Sequence, residues 1–304
     1  MATTLTTIPD LFSTSALAWI DFVLTDTFDQ HPQIMEKLFK VVDSDKPHEQ
    51  TTGVASFGQL SQLSELQQLP LRDRVQGFDK TFTHGRYSMG HEIGRMTYAN
   101  DRKGVLRDVP VQLGRSLVET VETQGSSVFN NGFGSETTPD GLSIFNTAHT
   151  TPAAGTVANR PSTDVDLSVT SLEDAMVQFM DFIDQAGKKI MRRPQFLVHP
   201  FELSFTTARI LESNMDPESA NRAVNPVSGA RLGLAGVSWE FLTDTDAWFL
   251  VGAPADNGLV WYWRQRPLVE HDVDFFKKSL LTSIEAWFSF GARDWRGLWG
   301  TSGA

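Results

Sequence analysis

The residue pair with the most familiar chemistry is His91-Glu92, which begins like the zinc-binding sequence His-Glu-x-x-His. Position 95 is Arg95, so the second histidine at helical spacing is missing. The seven histidines show no paired spacing; they are His31, His48, His84, His91, His149, His199 and His271. The sequence therefore predicts no metal site, and we interpret His91 and Glu92 as polar strand residues.

Motifs for nucleophilic catalysis and nucleotide binding do not occur either. The chain has no G-x-S-x-G elbow, no P-loop and no G-x-G-x-x-G. Glu119 and Glu122 share part of one helix face, and they would form an acid–base pair only in a cleft. A solvated helix face is the simpler interpretation. We therefore predict that the chain is no enzyme and has no catalytic or cofactor-binding residue.

One basic cluster stands out, formed by Lys188, Lys189, Arg192 and Arg193. It is placed at the end of a helix predicted over 171–187, where cations suit the helix dipole. Contact with an acidic neighbour is the alternative, and contact with DNA is a third. A net charge of −11 argues against a nucleic-acid-binding surface.

The composition is that of a folded protein. The 304 residues are 40% hydrophobic and include no cysteine, so disulfides are excluded. The start has no basic residue and does not resemble a secretory signal. The apolar run 16–24 is interrupted by Asp21 and is too short to span a bilayer. A cytosolic origin with no membrane partner is expected.

The first 34 residues are both acidic and apolar, with four Asp and no Lys or Arg. Such a segment needs a surface to pack on. It is either a helix on its own domain or an arm that lies on a neighbouring subunit. Residues 53–95 also need a surface to pack on. Alternation of apolar and polar residues around Phe78, Phe82 and Tyr87 predicts a two-stranded hairpin with His84-Gly85 near its tip. A hairpin alone is only marginally stable.

A long helix is predicted over 106–128. Its apolar face recurs at every fourth residue, namely Val109, Leu113, Leu117 and Val121. Asp108 and Pro110 are typical of a helix start. A loop follows that carries an apolar plug, namely Leu142, Ile144 and Phe145, before His149. We expect His149 to bond to a loop backbone. Further helices are predicted after Ser171 and Pro200, and strands over 195–199, 237–242, 247–251, 259–263 and 280–290. These helices and strands do not alternate as in β-α-β units, so the predicted fold class is α+β.

Several segments, in order, resemble the major capsid proteins of tailed bacteriophages, in particular the Mu-like major head subunits. Residues 87–122 resemble the lead-in and the central spine helix of that family. FNNGF (129–133) and DGLSIFNTAHT (140–150) are similar to the segments that follow this helix, and 193–211 to a later strand–proline–helix step. NPVSG (225–229) and DAWFLVGAP (246–254) resemble the family's later loop and strand, and ARDWRGLW (292–299) resembles its closing motif.

This resemblance implies the HK-type capsid fold. The implied parts are an N-terminal arm (1–52), an extended hairpin loop (53–95), a peripheral domain with the spine helix (96–165), an axial domain (166–255) and a return to the peripheral domain (256–304). The implied function is self-assembly into the icosahedral head shell around the double-stranded DNA of a tailed phage. An encapsulin-type compartment, which shares the fold, is the alternative.

The implied partners are sister copies in hexamers and pentamers, a portal, and separate scaffolding or decoration proteins. DNA would be enclosed without sequence-specific binding, in a virion assembled in the host cytoplasm. Large aromatic residues concentrate at interfaces as well as in cores. The residues predicted to contact other subunits are Phe12, Trp19, Phe22, Phe78, Phe82, Tyr87, Trp295 and Trp299.

Overall fold

Helices and strands follow one another without regular alternation in the computed structural model. It describes residues 14–31, 33–54, 57, 60–71, 76–100, 108–151, 155–215, 224–228 and 232–304. The helices are α1 (Thr14–Gln30), α2 (Ile34–Leu38), α3 (Arg95–Ala99), α4 (Val109–Asn130), α5 (Val169–Met180) and α6 (Ser204–Glu212). The α+β class is confirmed, and no helix among these residues is long and apolar enough to cross a membrane.

Twelve strands form the described sheets. They are β1 (Lys40–Asp43), β2 (His48–Val54), β3 (Gln76–Thr83), β4 (Gly85–Gly94), β5 (His149–Thr151), β6 (Gly155–Val157), β7 (Pro194–His199), β8 (Ala235–Ser238), β9 (Trp248–Gly252), β10 (Leu259–Asp274), β11 (Ser279–Ala292) and β12 (Leu298–Thr301). One sheet has the order β1-β10-β11-β4 and another β12-β9-β7-β8, while β2-β3 and β5-β6 form two-stranded sheets.

The central helix α4 is confirmed within a few residues of its predicted bounds. Its 22 residues begin with Pro110 in the first turn, where the missing N–H of proline is harmless. Leu113, Leu117 and Val121 are buried, as the four-residue spacing predicts. At about 1.5 Å per residue the helix is about 33 Å long. It therefore offers one continuous apolar stripe to the first sheet.

Two apolar cores share strand β9. Phe249 and Val251 pack in the core beneath α4, whereas Trp248 and Leu250 pack in the core formed with α5 and α6. Successive side chains of a strand point to opposite faces, so a wholly buried strand serves both cores. This shared strand joins the two halves of the chain.

The predicted hairpin over 53–95 is wrong in its pairing. Strand β3 pairs with β2, from His48 opposite Thr83 to Val54 opposite Gln76, and β4 pairs with β11. Only His84 separates β3 from β4, so the chain passes from one sheet into another there. Alternation shows that a segment is a strand, but it does not identify the strand's partner. The true hairpin is β2–β3.

The acidic N-terminal helix α1 packs on its own chain. Leu24 is buried, and its carbonyl lies close to Gly114 of α4. Asp21 Oδ1 lies 2.8 Å from His271 Nε2 of β10. Of the two alternatives for this segment, the described part supports the first, a helix on its own domain. Residues 1–13, including Phe12, lie outside the described residues.

Two predicted details of the second half need correction. Helix α5 is capped by Ser168, which forms a capping box with Ser171, and it ends at Met180 instead of 187. The basic cluster therefore lies in a loop, away from a helix end. Strands β8 and β9 both pair with β7.

The turn after α4 provides a matched pair of glycines for a test of core packing. A Cβ on Gly132 would lie 2.7 Å from the buried Phe145 ring and 2.9 Å from the Val128 carbonyl, whereas Gly134 has open space. We expect Gly132→Ala to lower the free energy of unfolding by about 1–3 kcal/mol through overpacking. Gly134→Ala should change it by less than about 0.5 kcal/mol. Urea unfolding of the two variants measures the difference, and equal values would contradict the packing described.

Candidate functional site

His91, the first residue of the pair that suggested metal chemistry, lies in a row of polar residues on the first sheet. His271, Thr282 and His91 face one another across β10, β11 and β4. The His271 ring is hydrogen-bonded to Thr282 of the sheet and to Asp21 of α1, so it links α1 to the sheet. Among the described residues, no group of three or more histidine or acidic side chains is arranged to hold a metal ion.

A cleft of about 660 Å³ lies beside the base of the β2–β3 hairpin. Three of its charged side chains pair with one another. Asp294 accepts from Arg192 and from Arg296, each at 3.0 Å. Burial alone would raise the pKa of Asp294, but the two neighbouring guanidinium groups outweigh it and hold the pKa below its ordinary value. These contacts fasten the chain's closing segment to the loop after α5, which is a structural role.

His149 organises the loop that follows α4. Its Nδ1 lies 2.7 Å from Asp140 Oδ2, and its Nε2 lies 3.1 Å from the Ile144 carbonyl. The expected bond to a loop backbone is thus confirmed. The ring stacks on Trp295 with 4.5 Å between centroids, and Asn159 donates to the carbonyls of both Ile144 and Leu298. The apolar plug is therefore tied to the last strand by a buried polar network.

Glu122 does not lie on a solvated face, as the sequence suggested. It is buried where α4 meets α2, and its Oε1 accepts from the Met35 N–H at 3.3 Å. Burial raises the pKa of this carboxyl group, although the backbone bond acts in the opposite direction. Glu119, one turn away, is exposed. Together these contacts make Glu122 an anchor for α2 and not half of a catalytic pair.

The most unusual surface is the loop between β2 and β3, which we call the leucine loop (residues 60–71). Leu60, Leu66 and Leu71 are 99%, 101% and 91% exposed. Leu66 has a φ of +66° in a turn closed by the Gln67 N–H bond to the Ser64 carbonyl. A leucine in this region is uncommon and costs about 1–3 kcal/mol. Exposed apolar side chains at this density mark a surface for association.

The base of the hairpin is held by its own chain. The Gln185 side chain lies against Gly53 and Gly77, and Lys188 Nζ donates to the Phe57 carbonyl at 2.9 Å. The base of the hairpin is therefore fastened to the loop that follows α5.

Comparison with known proteins identifies the family to which the chain belongs. A family described as phage capsid protein matches residues 79–300, which is well over half of the chain. The chain belongs to the phage capsid protein family. None of the curated proteins matches it in sequence.

Solved structures agree with this family in fold. The chain is similar to a subunit of the procapsid of bacteriophage JBD30, with a TM-score of 0.53, 12% identity, and 95% of this chain and 75% of that chain covered. For the capsid of cyanophage P-SCSP1u the TM-score is 0.58 at 14% identity, with 90% and 88% covered. A virus-like particle from Pyrococcus furiosus gives 0.54 at 9% identity, with 93% and 98% covered. The fold is thus the HK-type capsid fold, and the protein is a major capsid protein of the virion.

Three of the residues predicted to contact other subunits serve this capsid protein's own core. Trp295 and Trp299 are 2% and 1% exposed, and Phe82 is 4% exposed against Tyr262. Because their side chains are already covered, they leave no surface for a neighbour. Tyr87 is half-buried and stacks on Phe288 with 4.2 Å between centroids, and Phe78 is half-buried beside the cleft.

Two of the predicted contact residues lie on α1. Phe22 is 66% exposed and stays a predicted contact residue. Trp19 lies in the same helix, but its side chain is outside the described part of the structure. What the sequence interpretation missed were the exposed leucines of the leucine loop. The only available signal was a leucine–glutamine run without helical or strand period.

The network around His149 should be sensitive to acid. Burial alone would raise the pKa of Asp140, but hydrogen bonds from His149 and Thr138 outweigh it and place the pKa below its ordinary value. The stability that Asp140 contributes is therefore present above the unfolded-state pKa of about 3.9 and is lost as pH falls through the folded-state pKa. We expect Asp140→Asn to lower the free energy of unfolding at pH 7 by about 1–3 kcal/mol.

The same variant should also lose part of the acid dependence, which urea unfolding over a series of acid pH values measures. Asp181→Asn is the control, because this exposed partner of Lys189 should contribute less than about 1 kcal/mol. Identical pH profiles for wild type and Asp140→Asn would show that Asp140 is not held as described.

Proposed function

We propose that this capsid protein assembles with copies of itself into an icosahedral head shell that encloses the double-stranded DNA of a tailed phage. The single observation that carries the proposal is the leucine loop, whose apolar side chains have no cover within the described chain. Burying a leucine contributes about 1.5–3 kcal/mol, so three exposed leucines are a substantial driving force for association. A sister copy is the partner that a shell supplies.

The parts of the shell subunit follow from the same reasoning. We infer that residues 1–52 form an N-terminal arm whose helix α1 packs on its own subunit, that the extended loop is the β2–β3 hairpin, and that 96–165 with 256–304 form a peripheral domain around α4. Residues 166–255 would form an axial domain around α5, α6 and β7. Hexamers and pentamers of such subunits, a portal, and separate scaffolding or decoration proteins complete the proposal, with assembly in the host cytoplasm.

An encapsulin-type compartment is the alternative. The similar virus-like particle shares only the fold at 9% identity, whereas the family that matches the sequence is one of phage capsid proteins. Particles filled with DNA in infected cells support the phage head. Shells loaded with protein would support the compartment, and a small oligomer that turns over a substrate would contradict both.

Replacement of the exposed leucines tests the carrying observation. The triple variant Leu60→Ser, Leu66→Ser and Leu71→Ser should keep the stability of the subunit within about 0.5 kcal/mol, because these side chains contact little of their own chain. We expect it to abolish assembly as seen by electron microscopy and sedimentation. The control is Gln62→Ser with Gln68→Ser, two exposed polar residues of the same loop, which should assemble normally.

Normal particles from the leucine variant would remove the loop from the assembly interface. Phe82→Ser serves as a contrast to the leucine variant, because loss of this buried ring should lower the free energy of unfolding of the subunit by about 3 kcal/mol. Defective assembly of that variant would reflect unfolding and not a lost contact.

The charge of the chain leads to a prediction about the packaged DNA. With a net charge of −11 the subunit has little attraction for phosphates. We expect no saturable binding of a duplex by the dissociated subunit below about 100 µM at physiological salt. Fluorescence anisotropy of a labelled duplex measures this. Tight binding that weakens steeply with salt would contradict enclosure without specific contacts.

A further inference from the structure

The cleft beside the hairpin base carries two arginines on one carboxylate. Arg192 Nη1 lies 3.0 Å from Asp294 Oδ2, and Arg296 Nη1 lies 3.0 Å from Asp294 Oδ1. Guanidinium groups stay protonated in proteins. Although burial would raise the pKa of Asp294, the two guanidinium groups hold it below its ordinary value, so this carboxyl group is ionised. Two positive charges therefore share one negative charge.

Arg296 is the member of this group with hydrogen-bonding capacity to spare. Its side chain is only 4% exposed, and its Nε donates to the Ile183 carbonyl at 2.6 Å. The Trp295 ring lies 4.4 Å from Arg296 Cζ and covers one face of the guanidinium. Nη2 is buried and has no hydrogen-bond partner in the described structure. Such a charged donor is costly, because it has lost its hydration and has no acceptor in exchange.

A second buried group without a partner lines the same cleft. Gln185 Oε1 is buried and has no hydrogen-bond partner in the described part of the chain. Arg296 therefore needs an acceptor, and Gln185 needs a donor. An acidic side chain with its own backbone N–H groups supplies both, whereas a free carboxylate ion supplies only acceptors.

The other acidic side chains that line the cleft are engaged elsewhere or exposed. Asp140 Oδ2 lies 2.7 Å from His149 Nδ1. Asp184 Oδ1 accepts from two backbone N–H groups of its own loop, at 2.8 and 2.9 Å. Asp256 is exposed. The excess positive charge at Arg296 is therefore open to a carboxylate from another molecule.

The cleft is large enough for a short peptide. Its volume of about 660 Å³ falls in the ordinary range of ligand-binding clefts. Lys189 and Arg293 add two cations to its lining, and Phe78 and Met191 add apolar surface. Met191 is fully exposed, so it can pack on an incoming chain. This mixture of cations and apolar surface suits a peptide better than a small ion.

We propose that the cleft binds an acidic peptide segment of another polypeptide. A carboxylate of the segment bonds to Arg296, and a backbone N–H of the segment donates to Gln185. The site is distinct from the leucine loop, and the inference goes beyond self-assembly. Nucleic acid is a poorer occupant, because its phosphates would meet Asp256 and a subunit with a net charge of −11.

Fluorescence anisotropy with the full chain in its dissociated form tests the site. The probe is a short labelled peptide of alternating Glu and Ala, blocked at both ends, and the reference peptide has Gln in place of Glu. We expect saturable binding of the Glu peptide. The Gln peptide should bind about tenfold more weakly or worse, because hydrogen bonds to a charged acceptor are roughly twice as strong as neutral ones.

A pair of double variants locates the binding. Lys189→Gln with Arg293→Gln removes two cations from the cleft and should weaken binding of the Glu peptide about tenfold. The matched control is Arg86→Gln with Arg266→Gln, which makes the same charge change at exposed residues of the first sheet. This control should bind as the wild type does. An equal loss of affinity in both double variants would overturn the proposal.

Thermal melting adds a measurement that needs no variant. A ligand that binds only the folded state raises the melting temperature, so the Glu peptide should raise that of the wild type. Arg296→Lys keeps the charge but lacks Nη2, and its melting temperature should rise less. A folded Arg296→Lys chain with wild-type affinity would overturn the role of Arg296.

The remaining outcomes name the alternatives. Equal affinity for the Glu and Gln peptides, or no saturable binding of the Glu peptide below about 1 mM, would overturn the proposal. Acetate that stabilises the chain as much as the peptide at equal concentration would replace the peptide site by a small-anion site. A DNA duplex that displaces the peptide would overturn the assignment in favour of nucleic acid. None of these measurements depends on shell formation, so a failure here is distinct from a failure of the proposed function.

Discussion

The rest of the structure depends on one constraint: a run of leucines extends from the body on a two-stranded hairpin, and the described chain has no apolar surface that covers it. Exposure of leucine side chains to water is unfavourable, and this subunit can lower that free energy only by burying them against another molecule. Gln185 and Lys188 hold the base of this hairpin against the body. Association is therefore a property of the fold and not an addition to it.

A subunit that exposes a contact loop in this way also needs a rigid core. Rings from three separate parts of the chain meet at Phe249 of β9, which lies 5.1 Å from Phe129 of α4 and 5.0 Å from Phe145 of the plug. Aromatic pairs of this kind add about 0.5–1.5 kcal/mol to burial and hold their geometry. The network of His149 and Asn159 then ties the plug to β12. A shell built from many copies requires each subunit to present its contacts at constant angles, and these two networks supply that constancy.

The sequence predicted the elements that carry their own periodic signal. Helix α4 was placed within a few residues, because its buried stripe is local to one segment. The pairing of β3 and β4 was not predicted correctly, since alternation reports only that one face is buried. The role of Gly125 could not be predicted either, because it depends on distant parts of the chain: within α4 this glycine lets Met35 and Trp239 approach closely. Trp295 and Trp299 could not be assigned to a core or an interface by residue type, because both environments favour tryptophan.

A cryo-EM reconstruction of the assembled particle would test the central claim most directly, through the surroundings of residues 60–71. The account predicts that Leu60, Leu66 and Leu71 lie buried against a neighbouring subunit. If these side chains stay in solvent within a closed particle, or fold onto their own subunit, the claim that sister copies shelter them is contradicted.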